Sequence, residues 1–317
     1  MRKSFATLLF VAATSALAHN IATFSIVARD PNTKELGVAV ASRFFSVGSV
    51  VPYASASAGA VATQANANVK FGPEGLALLE RGASAGEVLA ILLRNDPDPS
   101  ARQVGIVARD GSSATYSGPK CNDWAGGRHG ANYAVQGNIL TGEAVVAAME
   151  KSFLESQGTL ARRMYAALSA GDAAGGDSRG RQSAVLIVVK EGAGYNGNSD
   201  RAIDIRVDDH TDPFRELGRL LDLAEMNYAW NEGWTAFTHK RFTEALVAQE
   251  RAATLGAENP ELLYDLAVIR LSAGKKSESL EALAKALRLN PKLKKQASAD
   301  SDLAALKDDP TYKKLVE

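Results

Sequence analysis

Residues 23–43, TFSIVARDPNTKELGVAVASR, restrict the fold more than any other stretch. They read as two strands, Thr23–Ala28 and Leu36–Ser42, around a turn at Pro31-Asn32-Thr33-Lys34, where Pro fixes φ and Asn tolerates a left-handed backbone. In the second strand Leu36, Val38 and Val40 share one face, and Gly37, Ala39 and Ala41 share the other. A large and a small face, neither of them polar, suit a strand buried on both sides with something packed closely on the small one. The hairpin therefore calls for layers above and below it.

Ahead of the hairpin, residues 1–18 have the order of a secretory signal. Arg2 and Lys3 are followed by an apolar run, Phe5 to Ala16, too short to span a bilayer, and by an Ala16-Leu17-Ala18 cleavage site. The mature chain would then begin at His19 and be exported, to a periplasm or beyond. This gives Thr23 a chemical interest. A chain-initiating Thr is one of the few hydroxyls that carries its own general base, the α-amine. Cleavage after Ala18 leaves His19-Asn20-Ile21-Ala22 in front of it, so the amine is free only if the chain is cut again at Ala22–Thr23. Without that cut, Thr23 is the start of a strand, a common place for Thr.

Charge excludes some partners. The formal net charge is zero, with no basic field for nucleic acid or an anionic membrane. The only cysteine, Cys121, rules out an intramolecular disulfide and a Cys-based metal site, and its flanks read as a loop holding an incidental thiol. Neither a cofactor nor a metal is expected. Asp208-Asp209-His210 are successive and rarely converge on one ion, so they read as a helix-entry cluster before Asp212 and Pro213. GAGYNG (192–197) matches GxGxxG, but a strand-like segment (AIDIRV) follows it where a dinucleotide site needs a helix; it reads as a hairpin turn.

In chain order, Val47–Ala54 and Ala58–Gln64 read as strands, and Gln64, Asn66 and Asn68 form an i, i+2 row that is either a solvated edge or a pocket lining. Gly72–Arg81 and Ala85–Arg94 read as helices, the second with Ser84 and Glu87 as a capping box. Arg102–Asp110 and Ser112–Ser117 form a hairpin at Asp110-Gly111. IVARD occurs at 26–30 and 106–110, which suggests two similar strands in one sheet. Trp124–Gly130 reads as a loop, Tyr133–Ile139 as a strand, Thr141 as the cap of a helix to about Ser156, and Leu160–Ala170 as the next helix. A Gly- and charge-rich stretch, 171–184, then enters the buried strand Val185–Val189; with Asp177, Arg179, Arg181, Gln182 and Ser183 it reads as a site-lining loop. Ala202–Val207 is a last strand, and a helix runs from Asp212 to about Met226. After Tyr228 the chain is helical and repeats every 34 residues, with Gly233 over Ala267, Ala245 over Ser279 and Ala252 over Ala286, the period of tetratricopeptide repeats.

The blocks TFSIVARD, GVAVASRFF, GAVATQA, RQVGIV, YAVQGNIL, AGGDSRGRQSA and DIRVDDH resemble those of the bacterial family DUF1028, in order, over residues 23–225. The resemblance implies a four-layer αββα domain like the N-terminal-nucleophile hydrolases over residues 19–227; with the small all-α tetratricopeptide-like module that the 34-residue period gives over 228–317, the expected fold class is α+β. It implies Thr23 as nucleophile, with Ser42 and Arg43 ending the second strand beside it. Gln136-Gly137-Asn138 falls where such hydrolases contact the nucleophile's amine, and Asp177 and Ser183 fall near their second Asp and Ser. The Asp and Lys of proteasome-like members are missing: no Lys lies within 44–65. Asn138 would help stabilise an oxyanion. Arg43 would favour the neutral amine by like charge, and Arg43, Arg179 or Arg181 would hold a substrate carboxylate. Gln64, Gly137, Gln182 and Ser183 would line the substrate site. The expected substrate is a small amide or peptide-like compound, with a protein or peptide partner on the repeats, and a homo-oligomer is compatible with such a fold. The other reading is a non-catalytic exported binding protein that acts through its repeats.

Overall fold

The computed structural model describes residues 23–317. The expected signal, residues 1–18, and the processing junction at Ala22 lie outside the described residues. The hairpin forms as β1 (Thr23–Arg29) and β2 (Leu36–Ser42), and at its turn Lys34, not Asn32, takes the left-handed backbone (φ 64°). The Asp30 carboxylate accepts from the backbone N–H groups of Asn32 and Thr33, so the turn is built as an Asx turn one residue earlier than Pro31 suggests.

The chain continues through β3 (Pro52–Ser55), β4 (Gly59–Ala65), α1 (Phe71–Glu80), α2 (Ala85–Arg94), β5 (Arg102–Ala108), β6 (Ser113–Ser117), β7 (Trp124–Gly130) and β8 (Tyr133–Leu140). It then runs through α3 (Ala144–Glu155), α4 (Leu160–Ala173), β9 (Ser183–Val189) and β10 (Arg201–Val207). Two antiparallel sheets result, one of six strands in the order β10-β9-β2-β1-β8-β7 and one of four in the order β3-β4-β5-β6. They face each other across a layer of Val27, Val38, Val40, Val185 and Ile187 on one side and Ala60, Ala62 and Val107 on the other. The outer face of the larger sheet, with Phe24, Ile26, Ala39 and Ala41, packs on Met149, Met164 and Leu168 of α3 and α4. The outer face of the smaller sheet, with Val61, Val104 and Ile106, packs on Phe71, Val88 and Leu92 of α1 and α2. The small face of β2 is small for the expected reason: a Cβ on Gly37 would stand 2.4 Å from Met164 Cε and 2.8 Å from the Ile187 carbonyl oxygen.

Several local expectations fail, each for a tertiary reason. The two IVARD copies lie in different sheets, β1 in the larger and β5 in the smaller, facing across the sandwich. Trp124–Gly130 is an edge strand paired with β8, not a loop; its glycines let the backbone run against β6, since a Cβ on Gly127 would stand 2.7 Å from Thr115 Oγ1. Residues 47–49 are a 3₁₀ turn rather than strand, because the Val47 N–H is taken by the Ser183 hydroxyl and the Ser46 N–H by the Asp208 carbonyl. Thr141 caps no helix. Its N–H donates to the Gly176 carbonyl and its side chain packs over Gly175, so α3 starts at Ala144.

The helix capped by Asp212 does not stop near Met226. It runs as α5, Pro213–Thr238, for 26 residues. Phe214, Leu217 and Leu221 belong to the core under the larger sheet, whereas Ala229 and Ala236 pack into the following helices. These are α6 (Phe242–Leu255), α7 (Pro260–Ser272, capped by Asn259), α8 (Lys276–Leu289), α9 (Leu293–Ala299) and α10 (Pro310–Val316). α5 pairs with α6 and α7 with α8, and the recurring small residues Ala245, Ala252, Ala267, Ser279 and Ala286 are fully buried in these pairs.

Within this helical region Trp230 Nε1 donates to Asp265 Oδ2 at 2.7 Å, and burial pushes the Asp265 carboxyl up to about 6. A carboxyl whose folded pKa exceeds its unfolded value contributes stability below the unfolded pKa and loses it as pH rises through the folded one. Asp265→Asn keeps an acceptor for Trp230 without the charge. The variant should match the parent near pH 4 and exceed it at pH 7.5, by up to about 3 kcal/mol at about 1.4 kcal/mol per pKa unit. Denaturant midpoints across that range check it.

Candidate functional site

β-Strand register brings four of the expected residues into one row. Ser183 pairs with Ser42, Ser42 with Thr23, and Thr23 with Asn138, across β9, β2, β1 and β8. Cross-strand partners share a face, and this is the face that meets the second sheet, since Val27 and Val38 lie on it deeper in. One step inward the row reads Val185, Val40, Ser25 and Gln136. The inter-sheet layer thus grades from hydroxyl and amide at the Thr23 end to purely aliphatic behind. Thr23, Ser42, Asn138 and Ser183 are all buried, none more than 3% exposed. Thr23 Oγ1 donates to Ser42 Oγ at 3.1 Å, and Ser183 Oγ donates to the Phe44 carbonyl at 2.5 Å.

The smaller sheet faces this row with Gln64 of β4 and Gln103 of β5, both fully buried. The orientation of every amide follows from one carbonyl. The Gly137 oxygen can only accept, so Gln103 Nε2 faces it, at 2.7 Å. Gln103 Oε1 must then accept, which it does from Gln64 Nε2 at 2.8 Å and Asn138 Nδ2 at 2.9 Å. Gln64 Nε2 also donates to the Thr23 carbonyl at 3.1 Å, and Gln64 Oε1 accepts from Ser25 Oγ at 2.6 Å. Ser25 Oγ in turn accepts from Gln136 Nε2 at 2.7 Å. The chain of amides leaves one atom over: Asn138 Oδ1, buried and without a hydrogen-bond donor. Such an atom costs about 1–3 kcal/mol.

The backbone is strained at the same place. Ile139, after Asn138, has φ 53°, and Ala65, after Gln64, has φ 64°. Positive φ is rare for β-branched Ile, and costs of about 1–3 kcal/mol per residue are typical. Ile139 sits where β8 slips against β7, and its N–H and carbonyl are held by the Asn122 carbonyl and the Ser178 N–H. The twist at Ala65 also ends the expected amide row: Gln64 is buried, Asn66 is exposed, and Asn68 donates to Asp96 instead.

Beside the row, Asp177 organises the Gly-rich loop. Its carboxylate accepts from the Arg43 N–H at 2.8 Å and the Arg179 N–H at 2.9 Å, and pairs with the Arg179 guanidinium at 3.1 Å. Arg43 Nη1 donates to Gln182 Oε1 at 2.6 Å, and Gln182 Nε2 to Asp209 at 3.0 Å. Thus Arg43, Asp177, Arg179 and Gln182 form one cluster beside the row. Arg181 does not join it: it pairs with Asp172 at 2.7 Å and lies over the Phe214 ring on the helical side of the sheet.

Three members of the network were not singled out by sequence reasoning as site residues: Ser25, Gln103 and the side chain of Gln136. Each is a polar residue on the inward parity of a buried strand, and that was the available signal. Gly105, opposite, carries the matching one: a Cβ there would stand 2.1 Å from Gln136 Oε1, so its absence makes room for the amide.

Asp208, Asp209 and His210 are tied to Ser46, Gln182 and the Asp212 N–H, a helix-entry cluster as expected. Among the described residues no group of three His, Cys, Asp or Glu side chains can hold a metal ion. Burial pushes the half-buried Cys121 thiol above its ordinary value, which disfavours the thiolate. No described helix is long and apolar enough to cross a membrane.

No curated protein matches the chain. Among solved structures it is similar to the crystal structure of protein SPO2555 from Silicibacter pomeroyi, of the DUF1028 family, with 29% identity and a TM-score of 0.59, covering 64% of this chain and 89% of that one. Residues 23–217 match the model of DUF1028, described as a family of unknown function, and the chain belongs to that family.

Proposed function

We propose that the protein is an exported amidohydrolase of the N-terminal-nucleophile type, with Thr23 as its first residue after processing. The observation that carries this reading is Asn138 Oδ1, a buried acceptor without a donor, on the residue directly across from Thr23. The α-amine of a chain that starts at Thr23 is a donor of the right kind. In this reading Thr23 Oγ attacks the carbonyl carbon of a small or peptide-like amide while the amine takes the hydroxyl proton. The C–N bond then breaks, the proton leaves with the amine product, and water hydrolyses the Thr23 ester to return the acid. A backbone N–H and the second Nδ2 proton of Asn138 stabilise the oxyanion, and the Arg43 guanidinium, which donates to the Gln182 amide, receives a substrate carboxylate. Two facing sheets with helices outside them support the four-layer αββα class. The recurring helix pairs support a tetratricopeptide-like module, which starts inside α5 rather than at a linker.

Burial of the whole Thr23 row, and cavities that open instead between the larger sheet and α5–α6, favour the second reading, an exported binding protein. Intact mass and N-terminal sequencing of protein from the exported fraction separate the two. A chain beginning at Thr23 is expected; one beginning at His19 has a blocked amine and overturns the enzymatic reading.

A further inference from the structure

At the end of β1 and β2 away from Thr23, the larger sheet meets α5 and α6 around two adjoining cavities of about 470 and 380 Å³. Lys190, Tyr228, Glu232 and Arg251 line both. The smaller cavity has an aliphatic wall of Leu160, Val188, Ile203 and Leu255, and a charged one.

Most of the charges are already matched. Asp30 pairs with Arg163, Glu225 with Arg162, and Glu232 with Arg251. Two charges on the cavity wall remain without an opposite charge within 4.0 Å among the described residues: the Glu35 carboxylate and the Lys190 ammonium. Glu35 is 8% exposed and belongs to β1–β2's turn; among the described residues its carboxylate accepts only from Thr33 Oγ1 at 3.1 Å and Tyr228 OH at 3.3 Å. Each carboxylate oxygen can accept again. Burial raises the Glu35 pKa above its ordinary value, and the Thr33 hydrogen bond, the neighbouring Lys190 charge and the Tyr228 hydrogen bond offset this only in part. A buried carboxylate and a half-buried ammonium, neighbours at the ends of β2 and β9 and facing one cavity with an aliphatic wall, complement a zwitterionic ligand with a hydrocarbon group. The volume is in the range of small-molecule sites.

We propose that this cavity binds a zwitterionic α-amino acid with an apolar side chain, its ammonium on Glu35, its carboxylate on Lys190 and its side chain against Val188, Ile203 and Leu255. The site is remote from Thr23 and independent of any chemistry there.

Calorimetric titration of the full chain with L-leucine tests this, with isocaproate (no ammonium) and isoamylamine (no carboxylate) as single-charge probes. Leucine should bind one per chain, and each probe at least about 10-fold more weakly, since each lacks one of the two charge-assisted contacts. Glu35→Gln, which keeps an acceptor for Tyr228, should weaken leucine about 10-fold or more and should not weaken isocaproate. Lys190→Met, on the cavity rim, should weaken leucine equally and should not weaken isoamylamine. No leucine binding, equal binding by the single-charge probes, or wild-type affinity in Lys190→Met overturns the proposal, even if Glu35→Gln fails to fold.

Discussion

Thr23→Ala should abolish amide turnover, by at least about 1,000-fold in kcat, while the fold survives. Removal of a nucleophile stops the covalent route altogether and leaves only what binding and the oxyanion donors supply. The structural cost is small. The side chain makes a neutral hydrogen bond to Ser42, worth about 1 kcal/mol, so the melting temperature should fall by only about 2–4 °C. Thr23→Ser keeps the hydroxyl and should keep most of the turnover. The measurement is turnover of an amide panel by protein whose N-terminus has been sequenced. Full turnover in Thr23→Ala would remove Thr23 from the chemistry, whatever the processing state.

Gln103→Leu should cost more stability than any other single change at this site. Gln103 joins both sheets: it donates to the Gly137 carbonyl and to Ser117 Oγ, and accepts from Gln64 and Asn138. Leucine has a similar volume and none of these functions. Gly137 O and Asn138 Nδ2 would lose buried partners at about 1–3 kcal/mol each, for a total of about 3–5 kcal/mol. Asn138 would also lose the bond that fixes its amide, so turnover should fall with stability. Ser117→Ala, which removes one bond at the edge, should cost about 1 kcal/mol. Urea unfolding of the two variants provides the comparison. A Gln103→Leu cost below that of Ser117→Ala would show that the network adds nothing to the fold.

Local chemistry was legible in the sequence where one element decides it. The two faces of β2, the Ser84–Glu87 capping box, the helix start at Asp212 and the 34-residue recurrence all follow from neighbours within a few residues or one repeat. What escaped depends on partners far along the chain. The identical pentapeptides at 26–30 and 106–110 differ in sheet because pairing is set by β8 and β4, not by their own residues. The glycines of 124–130 look like a loop until β6 is placed beside them. Thr141 has the composition of a cap but is recruited by Gly176, a residue of another loop. Thr23, Ser42, Asn138 and Ser183 could be named singly from the resemblance, but their alignment in a row is a property of register. Gln103 was missed because a glutamine in a short strand reads equally as an edge residue, and only a facing sheet makes it a hub.

The unbroken helix α5 has a consequence for how the two parts of this chain can change. Its 26 residues span about 39 Å as one rod, with one end under the larger sheet and the other inside the helical pairs. The parts are therefore geared rather than tethered. A single residue inserted between Leu221 and Ala229 would turn the helical module by about 100° around the rod and shift it by about 1.5 Å. The seam that holds Lys190 and Glu35 opposite Tyr228 would be lost, although every contact within each part survived. Lengths in this segment are free to vary only in steps that restore angular phase, so the joint behaves as a keyed shaft, and the module cannot be moved onto another chain without its key.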